Sequence, residues 1–242
     1  MELIKLSERI YMLPFVRETD RPNLFYIKGD NYSVAVDAGN SAAHVQEFYG
    51  QLKKHGLEMP RYTIITHWHW DHTFGLHAIC GKSIATVKTN EKLRQVMKWE
   101  WTKEKMRERE ASGEDIAFCN ECILMEYDNL DEIKVVMADE VVQGERTLDL
   151  GSIHLHLTSR DSTHSRDALF VYVPEEKALI LGDADCEDHY ENGGKYDADR
   201  LSDLIAFLKD IDYERHLISH DFEESKEEAL EYLSEELEKC RK

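Results

Sequence analysis

The sequence lacks the features of membrane and secreted proteins. Its apolar runs all fall short of the roughly 20 residues that span a bilayer. The N-terminal stretch MELIKLSERIYM contains Glu2, Lys5, Glu8 and Arg9, which interrupt the apolar core that a secretion signal needs. Cysteine is scarce, and an odd count of five favours reduced thiols over a disulfide framework. We therefore expect a cytoplasmic protein with no membrane partner.

Positive charge is also scarce. Lys and Arg number 30 against 49 Asp and Glu, which gives a formal net charge of −19 at pH 7. Such a surface repels nucleic acid phosphates and anionic headgroups, so no nucleic-acid partner is expected. A hydrophobic content of 42% in 242 residues supports one sizeable core. We expect a single domain over residues 1–242.

Hydrophobic periodicity predicts strands in both halves of the chain and helices between them. Strands are predicted over 9–13, 23–28, 32–37, 62–66, 135–137, 147–150, 153–157, 168–173, 178–181 and 217–219, with the first three as an antiparallel meander. Helices are predicted over 41–55, 90–109, 198–208 and 222–239. Asp221 and Glu224 would form a capping box for the last helix. Two sheets packed face to face with helices outside would bury this pattern, which indicates an α+β fold.

A cluster of metal-binding residue types follows the strand predicted over 62–66. The stretch ITHWHWDHTFG places His67, His69, Asp71 and His72 close together. A transition metal such as Zn²⁺ binds imidazole nitrogen and carboxylate oxygen, and several of these must converge at about 2 Å. His67 and His69 point the same way in an extended segment, and a turn after them would let Asp71 and His72 face a second ion. The spacing predicts a loop that serves two metal ions.

The segment THWHWDH resembles the signature of the metallo-β-lactamase superfamily, which contains hydrolases and some redox enzymes. Other motifs of that family have similar segments here, in the same order along the chain. They place Asp37 in VAVDAG, His164 in LTSRDSTHSRD, Asp183 in LILGDAD and His220 in LISHDF. The resemblance extends over residues 23–222 and implies a four-layer αββα sandwich.

The resemblance also implies a ligand set for two divalent ions. The implied ligands are His67, His69 and His164 for one ion, Asp71, His72 and His220 for the other, and Asp183 as a bridge. Zn²⁺ is expected first, with Fe and Mn as alternatives, because His and carboxylate ligands suit all three. Two divalent ions keep a net positive charge with these ligands, which lowers the pKa of a bridging water and yields a hydroxide. Asp71 and Asp183 are then the expected catalytic carboxylates, and Asp37 is expected to brace the histidine loop.

This ligand set implies a dinuclear metal-dependent hydrolase that acts on a small-molecule ester, lactone, amide or phosphodiester. The alternative is a mononuclear iron-dependent oxidoreductase of the same superfamily, similar to the persulfide dioxygenases. A binding module without catalysis is a third hypothesis, but such a module would be expected to have lost ligands. Asp183 stands where the cysteine-containing β-lactamases have cysteine, which disfavours antibiotic hydrolysis. The substrate and the oligomeric state stay open.

Four tryptophans have both a structural and a functional interpretation. Trp68 and Trp70 either pack the histidine loop onto the sheets or form a wall of the substrate pocket. Trp99 and Trp101 lie within residues 90–131, and the part from residue 99 onward is the most irregular of the chain. This segment either covers the metals as a lid or contributes an ordinary core stripe.

Cysteines and histidines outside the motifs are interpreted in the same way. Cys119 and Cys122 form a lone CxxC, which favours free structural thiols over a zinc or redox site. His154 and His156 alternate with apolar residues, so they are expected to face away from the core. Two residues that follow Asp183 are candidates to line the pocket, namely Cys186 and His189.

Overall fold

Two mixed β-sheets form the centre of the protein in the computed structural model, which describes residues 1–241. The first sheet has seven strands in chain order: β1 (Ile4–Lys5), β2 (Ile10–Leu13), β3 (Leu24–Ile27), β4 (Val34–Val36), β5 (Tyr62–Ile64), β6 (Lys82–Thr86) and β7 (Glu140–Val142). β1 to β4 pair antiparallel, which confirms the predicted meander. β4 to β7 pair in parallel, so their carboxyl ends lie at one edge.

The second sheet has six strands, which are β8 (Glu145–Asp149), β9 (His154–Arg160), β10 (Ala168–Val173), β11 (Ala178–Gly182), β12 (Arg215–Ile218) and β13 (Glu224–Ser225). Their order is β13-β12-β11-β10-β9-β8. Only β11 and β12 among these pair in parallel. In β9, Leu155 and Leu157 are fully buried, whereas His154 and His156 point away from the core as predicted.

The helices are α1 (Ala42–Lys54), α2 (Trp70–Thr73), α3 (Val87–Val96), α4 (Lys103–Ser112), α5 (Ala117–Glu126), α6 (Ala198–Asp210) and α7 (Lys226–Cys240). Phe48 and Leu52 of α1 pack on the first sheet, and Leu204 of α6 and Leu233 of α7 pack on the second. The inner faces of the two sheets share one apolar core. These layers form the predicted αββα sandwich. Within the described residues, none of the helices combines the length and apolar composition that a bilayer crossing requires.

The helix predicted over 90–109 is in fact two helices, α3 and α4. Its continuous apolar stripe is broken because Thr102 starts a new helix, with its side chain accepting a hydrogen bond from the third backbone N–H of α4. The guanidinium carbon of Arg109 lies 4.5 Å from the ring centroid of Trp99 and 4.8 Å from that of Trp101. Cation–π contacts of Arg109 with both rings, rather than a helical stripe, therefore hold the two tryptophans.

The strand predicted over 135–137 was wrong. That segment is irregular, and the strand β7 begins three residues later. Asp139 fixes its start, because its carboxylate accepts hydrogen bonds from the Ser83 backbone N at 2.8 Å and from the Ser83 hydroxyl at 2.9 Å. The apolar side chains of Val135 and Val136 pack beside α3 instead of joining the sheet.

The start of the last helix was also predicted wrongly. α7 begins at Lys226, and its capping box consists of Ser225 and Glu228 rather than Asp221 and Glu224. The reason is that Glu224 and Ser225 extend the second sheet by pairing with β12, which delays the helix. Both pairs of residues satisfy the same capping pattern in the sequence, so the sheet contact decides between them.

Candidate metal centre

The predicted site residues meet at one edge of the sandwich, where parallel strands end. Asp37 follows β4, and the histidine loop follows β5. Asp183 follows β11 directly, and His220 comes shortly after β12. Parallel neighbours carry their carboxyl ends to the same edge, which is where open α/β sheets place their ligands. The fold thus brings side chains from distant parts of the chain together.

Three histidines form the first group of the site. His67 Nε2 lies 3.0 Å from His69 Nδ1, and His164 Nε2 lies 2.8 Å from the same nitrogen. Burial, followed by the neighbouring imidazoles, lowers the pKa of His67 and of His69 well below the ordinary value. Both rings are therefore neutral, as metal ligands must be. Three ring nitrogens converge on one point in the arrangement that a metal ion requires.

The second group consists of Asp71, His72, Asp183 and His220, whose ligand atoms all lie within 4.8 Å of one another. Asp71 Oδ2 is 2.9 Å from His72 Nε2 and 3.1 Å from His220 Nε2. Asp183 Oδ2 is 3.3 Å from His72 Nε2 and 3.5 Å from His220 Nε2. All seven residues predicted as ligands are thus gathered into two adjacent groups.

Asp183 faces both groups. Its Oδ2 atom lies 3.9 Å from His67 Nε2 and 3.7 Å from His164 Nε2, in addition to its contacts in the second group. Its Oδ1 atom is buried without a hydrogen-bond partner, as is His72 Nε2, whose short distance to Asp71 lacks hydrogen-bond geometry. Buried polar atoms are almost always paired in folded proteins. These unpaired atoms fit coordination to a cation.

The charge balance of the second group also fits cations. Burial alone would raise the pKa of Asp183, but His220 and His72 hold it well below its usual range. Burial alone would lower the pKa of His220, but the carboxylates of Asp183 and Asp71 raise it well above the ordinary value. The two buried carboxylates therefore need positive charge beside them, which divalent ions would supply.

Asp37 braces the histidine loop, as predicted. Its carboxylate accepts hydrogen bonds from the Thr66 backbone N at 2.8 Å, from the Thr66 hydroxyl and from His72 Nδ1 at 2.8 Å. Its backbone adopts a left-handed conformation with φ of 65°, which is uncommon outside glycine and costs about 1 kcal/mol or more. Because His72 Nδ1 is held by Asp37, Nε2 is the ring nitrogen of His72 that faces the second group.

A cavity of about 240 Å³ opens onto both groups. Its walls are formed by Asp20, His69, Asp71, Ile116, Phe118, Cys119, His164, Asp183, Cys186, Glu187, His189, Tyr190 and His220. Cys186 and His189 line this cavity as predicted. The cavity gives a small molecule direct access to both ligand groups.

The sequence profile of the metallo-β-lactamase superfamily matches residues 18–222. The chain belongs to the metallo-β-lactamase superfamily. No match is found among the curated proteins.

Solved structures show the same metallo-β-lactamase fold. A metallo-β-lactamase from Pontibacter korlensis is 15% identical, with a TM-score of 0.68 over 98% of each chain. A metallo-β-lactamase from Pseudomonas aeruginosa, in its mono-zinc form, is 14% identical with a TM-score of 0.68, over 98% of this chain and 95% of that one. A sec-alkylsulfatase from Pseudomonas sp. is 16% identical with a TM-score of 0.69, over 99% of this chain but 41% of its own.

The sequence did not predict several residues of the cavity wall, and the side chains of two of them, Asp20 and Tyr190, lie against proposed ligands. Asp20 closes a short 3₁₀ turn in a left-handed conformation, and its Oδ1 lies 3.8 Å from His220 Nδ1. Burial, followed by the charge of Asp71, raises the pKa of Asp20 to about 7. Tyr190 packs its ring against His69, with the centroids 4.8 Å apart, and donates a hydrogen bond to Asp115. Neither residue belongs to a motif, although the polar turn around Asp20 is a loop signal in the sequence.

The four tryptophans do not line the cavity described above. Trp68 and Trp70 are buried and pack the histidine loop, which was the first of the two interpretations. Trp99 and Trp101 pack in the same cluster and are not part of the cavity wall. The segment 90–131 contributes to the wall through the start of α5 instead.

The CxxC pair lies on α5, and both cysteines are free thiols. Burial raises the pKa of Cys122 to about 12 and that of Cys119 well above its ordinary value. Cys119 also contacts Tyr190, with its Sγ 3.5 Å from the phenol oxygen. The structural interpretation of Cys122 is confirmed, whereas Cys119 is in addition a wall residue of the cavity.

Position 182, just before Asp183, requires glycine because the backbone there comes close to the histidine loop. Its φ is +64°, and a Cβ there would lie 2.5 Å from Thr66 Oγ1, the hydroxyl that binds Asp37. We expect Gly182→Ala to lower the free energy of unfolding by about 2–4 kcal/mol, as measured by urea denaturation.

Gly56→Ala is the matched control for this variant. Gly56 has a similar φ of +66°, but a Cβ there would meet no atom within 4 Å, so only the backbone penalty of about 1 kcal/mol is expected. Equal losses in the two variants would contradict the contact with Thr66 as the main reason for glycine at position 182.

Proposed function

We propose that the protein is a dinuclear metal-dependent hydrolase of small molecules. In this proposal, His67, His69 and His164 hold one divalent ion, and Asp71, His72 and His220 hold the other. Asp183 is the shared ligand. The observation that carries the proposal is the position of Asp183 Oδ2, which lies within 3.9 Å of imidazole nitrogens in both groups. We propose Zn²⁺ as the ion, with Fe and Mn as alternatives, because the donor set is imidazole and carboxylate.

The residues around the ligands prepare the imidazoles for this role. His164 Nδ1 donates to the backbone carbonyl of Glu187 at 2.7 Å, which leaves the Nε2 lone pair directed into the site. His67 Nδ1 lies 3.1 Å from the Thr66 hydroxyl, whose own proton is donated to Asp37. Each partner fixes the tautomer and the orientation of a ring before any ion binds.

Two divalent ions bound here would polarise a carbonyl or phosphoryl oxygen and lower the pKa of a water that attacks it. Asp71 and Asp183 would hold negative charge beside these ions, so they keep the net charge of the site low. Tyr190 and the start of α5 form part of the wall of the cavity, whose volume of about 240 Å³ suits a small molecule. The substrate would therefore be a small molecule, and its class is an ester, lactone, amide or phosphodiester.

Metal analysis tests the proposal directly. We expect elemental mass spectrometry of protein purified without added metal to give about two divalent ions per chain. Treatment with a chelator, followed by gel filtration, is expected to remove hydrolysis of a panel of esters, lactones, amides and phosphodiesters. Addition of Zn²⁺ or Mn²⁺ to the chelated protein should restore it, and circular dichroism before and after provides the folding control.

The alternative function predicts a different result from the same sample. About one iron per chain, oxygen consumption with persulfides and no hydrolysis of the panel would replace the hydrolase by a mononuclear iron oxidoreductase. Hydrolysis that survives complete removal of the metal would exclude both proposals.

A further inference from the structure

Within residues 1–241, the ionisable side chains that line the cleft include many carboxylates but no lysine or arginine. Beside the cavity described above lies a second one of about 340 Å³, and both are lined by Asp183, Cys186, Glu187 and His220. The carboxylates that line one or both cavities, apart from the proposed ligands, are Asp20, Asp185, Glu187, Asp221 and Glu224. Among the described residues that line the two cavities, none is Lys or Arg. A substrate that enters the cleft therefore finds no cationic side chain of the lysine or arginine type.

Three arginines that lie near lining residues in the sequence are already engaged by carboxylates. Arg21, next to Asp20, binds Glu47 at 2.8 Å and Glu126 at 2.7 Å. Arg200 binds Asp188 at 2.8 Å and also donates to the backbone carbonyl of Ser162.

Arg166, which follows His164 closely, binds Glu191 at 2.7 Å. Each of these guanidinium groups would have to break a paired contact before it could meet an anionic group of a substrate. Breaking such a pair leaves a carboxylate without its partner, and for a buried pair the cost reaches about 3–5 kcal/mol.

Part of the wall of the first cavity is apolar. Ile116, Phe118 and Cys119, at the start of α5, all line the first cavity. Phe118 is 53% exposed, which is unusual for a large aromatic side chain at the edge of a cavity. The volume of about 240 Å³ is below the range of about 300–1,000 Å³ that holds drug-sized ligands. A short apolar group fits this part of the cleft.

We propose that the cleft selects small, uncharged carbonyl esters or lactones with a short apolar arm, and that it discriminates against substrates with a carboxylate or phosphate group. This inference rests on the proposed hydrolase function. In the reaction, water adds to the carbonyl carbon, the C–O bond to the leaving group breaks, and a proton of the water goes to the leaving oxygen. An ester then gives a carboxylic acid and an alcohol, and a lactone gives a single hydroxy acid. The apolar arm lies against Phe118, and Glu187 repels an anionic substituent.

The proposed discrimination against anionic substrates can be tested with two esters that share the same leaving group and have acyl chains of four carbons. We expect the metal-loaded protein to hydrolyse 4-nitrophenyl butyrate with a kcat/KM at least about tenfold above that of 4-nitrophenyl hemisuccinate, which carries an extra carboxylate. Glu187→Lys should reduce this ratio at least about fivefold by relieving the repulsion. Phe118→Ala should reduce the ratio of butyrate to acetate hydrolysis about threefold, because the apolar contact is lost.

Glu145→Lys is the matched control, because it makes the same charge change on the exposed edge strand β8 and lines neither cavity. It should leave both ratios unchanged. If Glu145→Lys reduced the preference for butyrate over hemisuccinate as much as Glu187→Lys, the effect would come from net charge. That result would overturn the inference. A native preference for the hemisuccinate, or for a phosphodiester, would also overturn it while leaving the hydrolase function intact.

A binding measurement separates the inference from the proposed function. The amide analogues N-(4-nitrophenyl)butyramide and N-(4-nitrophenyl)succinamic acid can be compared by isothermal titration calorimetry. We expect the dissociation constant of the uncharged amide to be at least about fivefold lower. If no ester, lactone, amide or phosphodiester is hydrolysed, the hydrolase proposal fails, and this pair alone decides whether the cleft selects against anions. Equal or tighter binding of the succinamic acid would overturn the inference.

Discussion

Asp183→Asn is expected to lower hydrolysis at least about thousandfold and to reduce the metal content from about two ions per chain to one or none. The reason is that Asp183 Oδ2 faces both groups of imidazoles, so the substitution weakens two sites at once. Each bound ion would contribute several kcal/mol of charge stabilisation, which corresponds to a factor of this order. Elemental mass spectrometry and a kinetic assay on the same preparation measure both quantities.

The matched control for this variant is Asp185→Asn. Asp185 lies on the same loop, but its Oδ2 accepts a hydrogen bond from His216 Nε2 at 2.9 Å, and an asparagine oxygen can accept the same bond. We expect this control to keep the metal content. Asp183→Ala is a second variant that removes the ligand oxygen altogether. Native activity in either Asp183 variant would contradict the two-metal assignment.

Asp37→Asn is expected to weaken metal binding at the second group by about 10–100-fold. Asp37 is not itself a proposed ligand, but it holds the proposed ligand His72. Asparagine keeps the size of the side chain and tolerates the left-handed backbone. However, one of its two terminal atoms is an NH₂ group, which faces either Thr66 or His72 Nδ1. When it faces His72, the ring must move its proton to Nε2, and the atom assigned to the metal is then blocked.

Asp139→Asn is the control for this prediction. Asp139 also accepts hydrogen bonds from one backbone N–H and one hydroxyl, both of Ser83, but it lies at the start of β7. Its substitution is expected to change stability without changing the metal content. Titration of the chelated proteins with Zn²⁺, followed with a competing dye, measures the affinities. An unchanged affinity in Asp37→Asn would show that Asp37 does not orient His72.

Much of the fold and the ligand set could be predicted from the sequence, because both rest on local patterns. Strands such as β10 follow from continuous apolar runs, and His67 to His72 form a motif within one loop. Asp183 and His220 were found because each ends a strand in a segment that resembles a family motif. These features depend on residues near one another in the chain.

Other features depend on contacts that no local pattern encodes. Asp20 reaches the cavity because a short turn bends back toward His220, which lies near the other end of the chain. Trp99 and Trp101 pack against Arg109 instead of along one helical stripe, and the start of α7 follows from pairing with β12. In each case a tertiary contact outweighs a local preference, so the sequence pattern alone could not decide.

The ligands come from both sheets of the sandwich. The loop after β5 in the first sheet carries His67 to His72, whereas His164, Asp183 and His220 follow strands of the second. Ions bound between these residues would therefore link the two sheets to each other. They would bind only when the two sheets are packed together. By mass action, an ion at 100 times its dissociation constant adds about 2.7 kcal/mol to the stability of the docked state. The resistance of this protein to heat would thus vary with the supply of free metal in its surroundings.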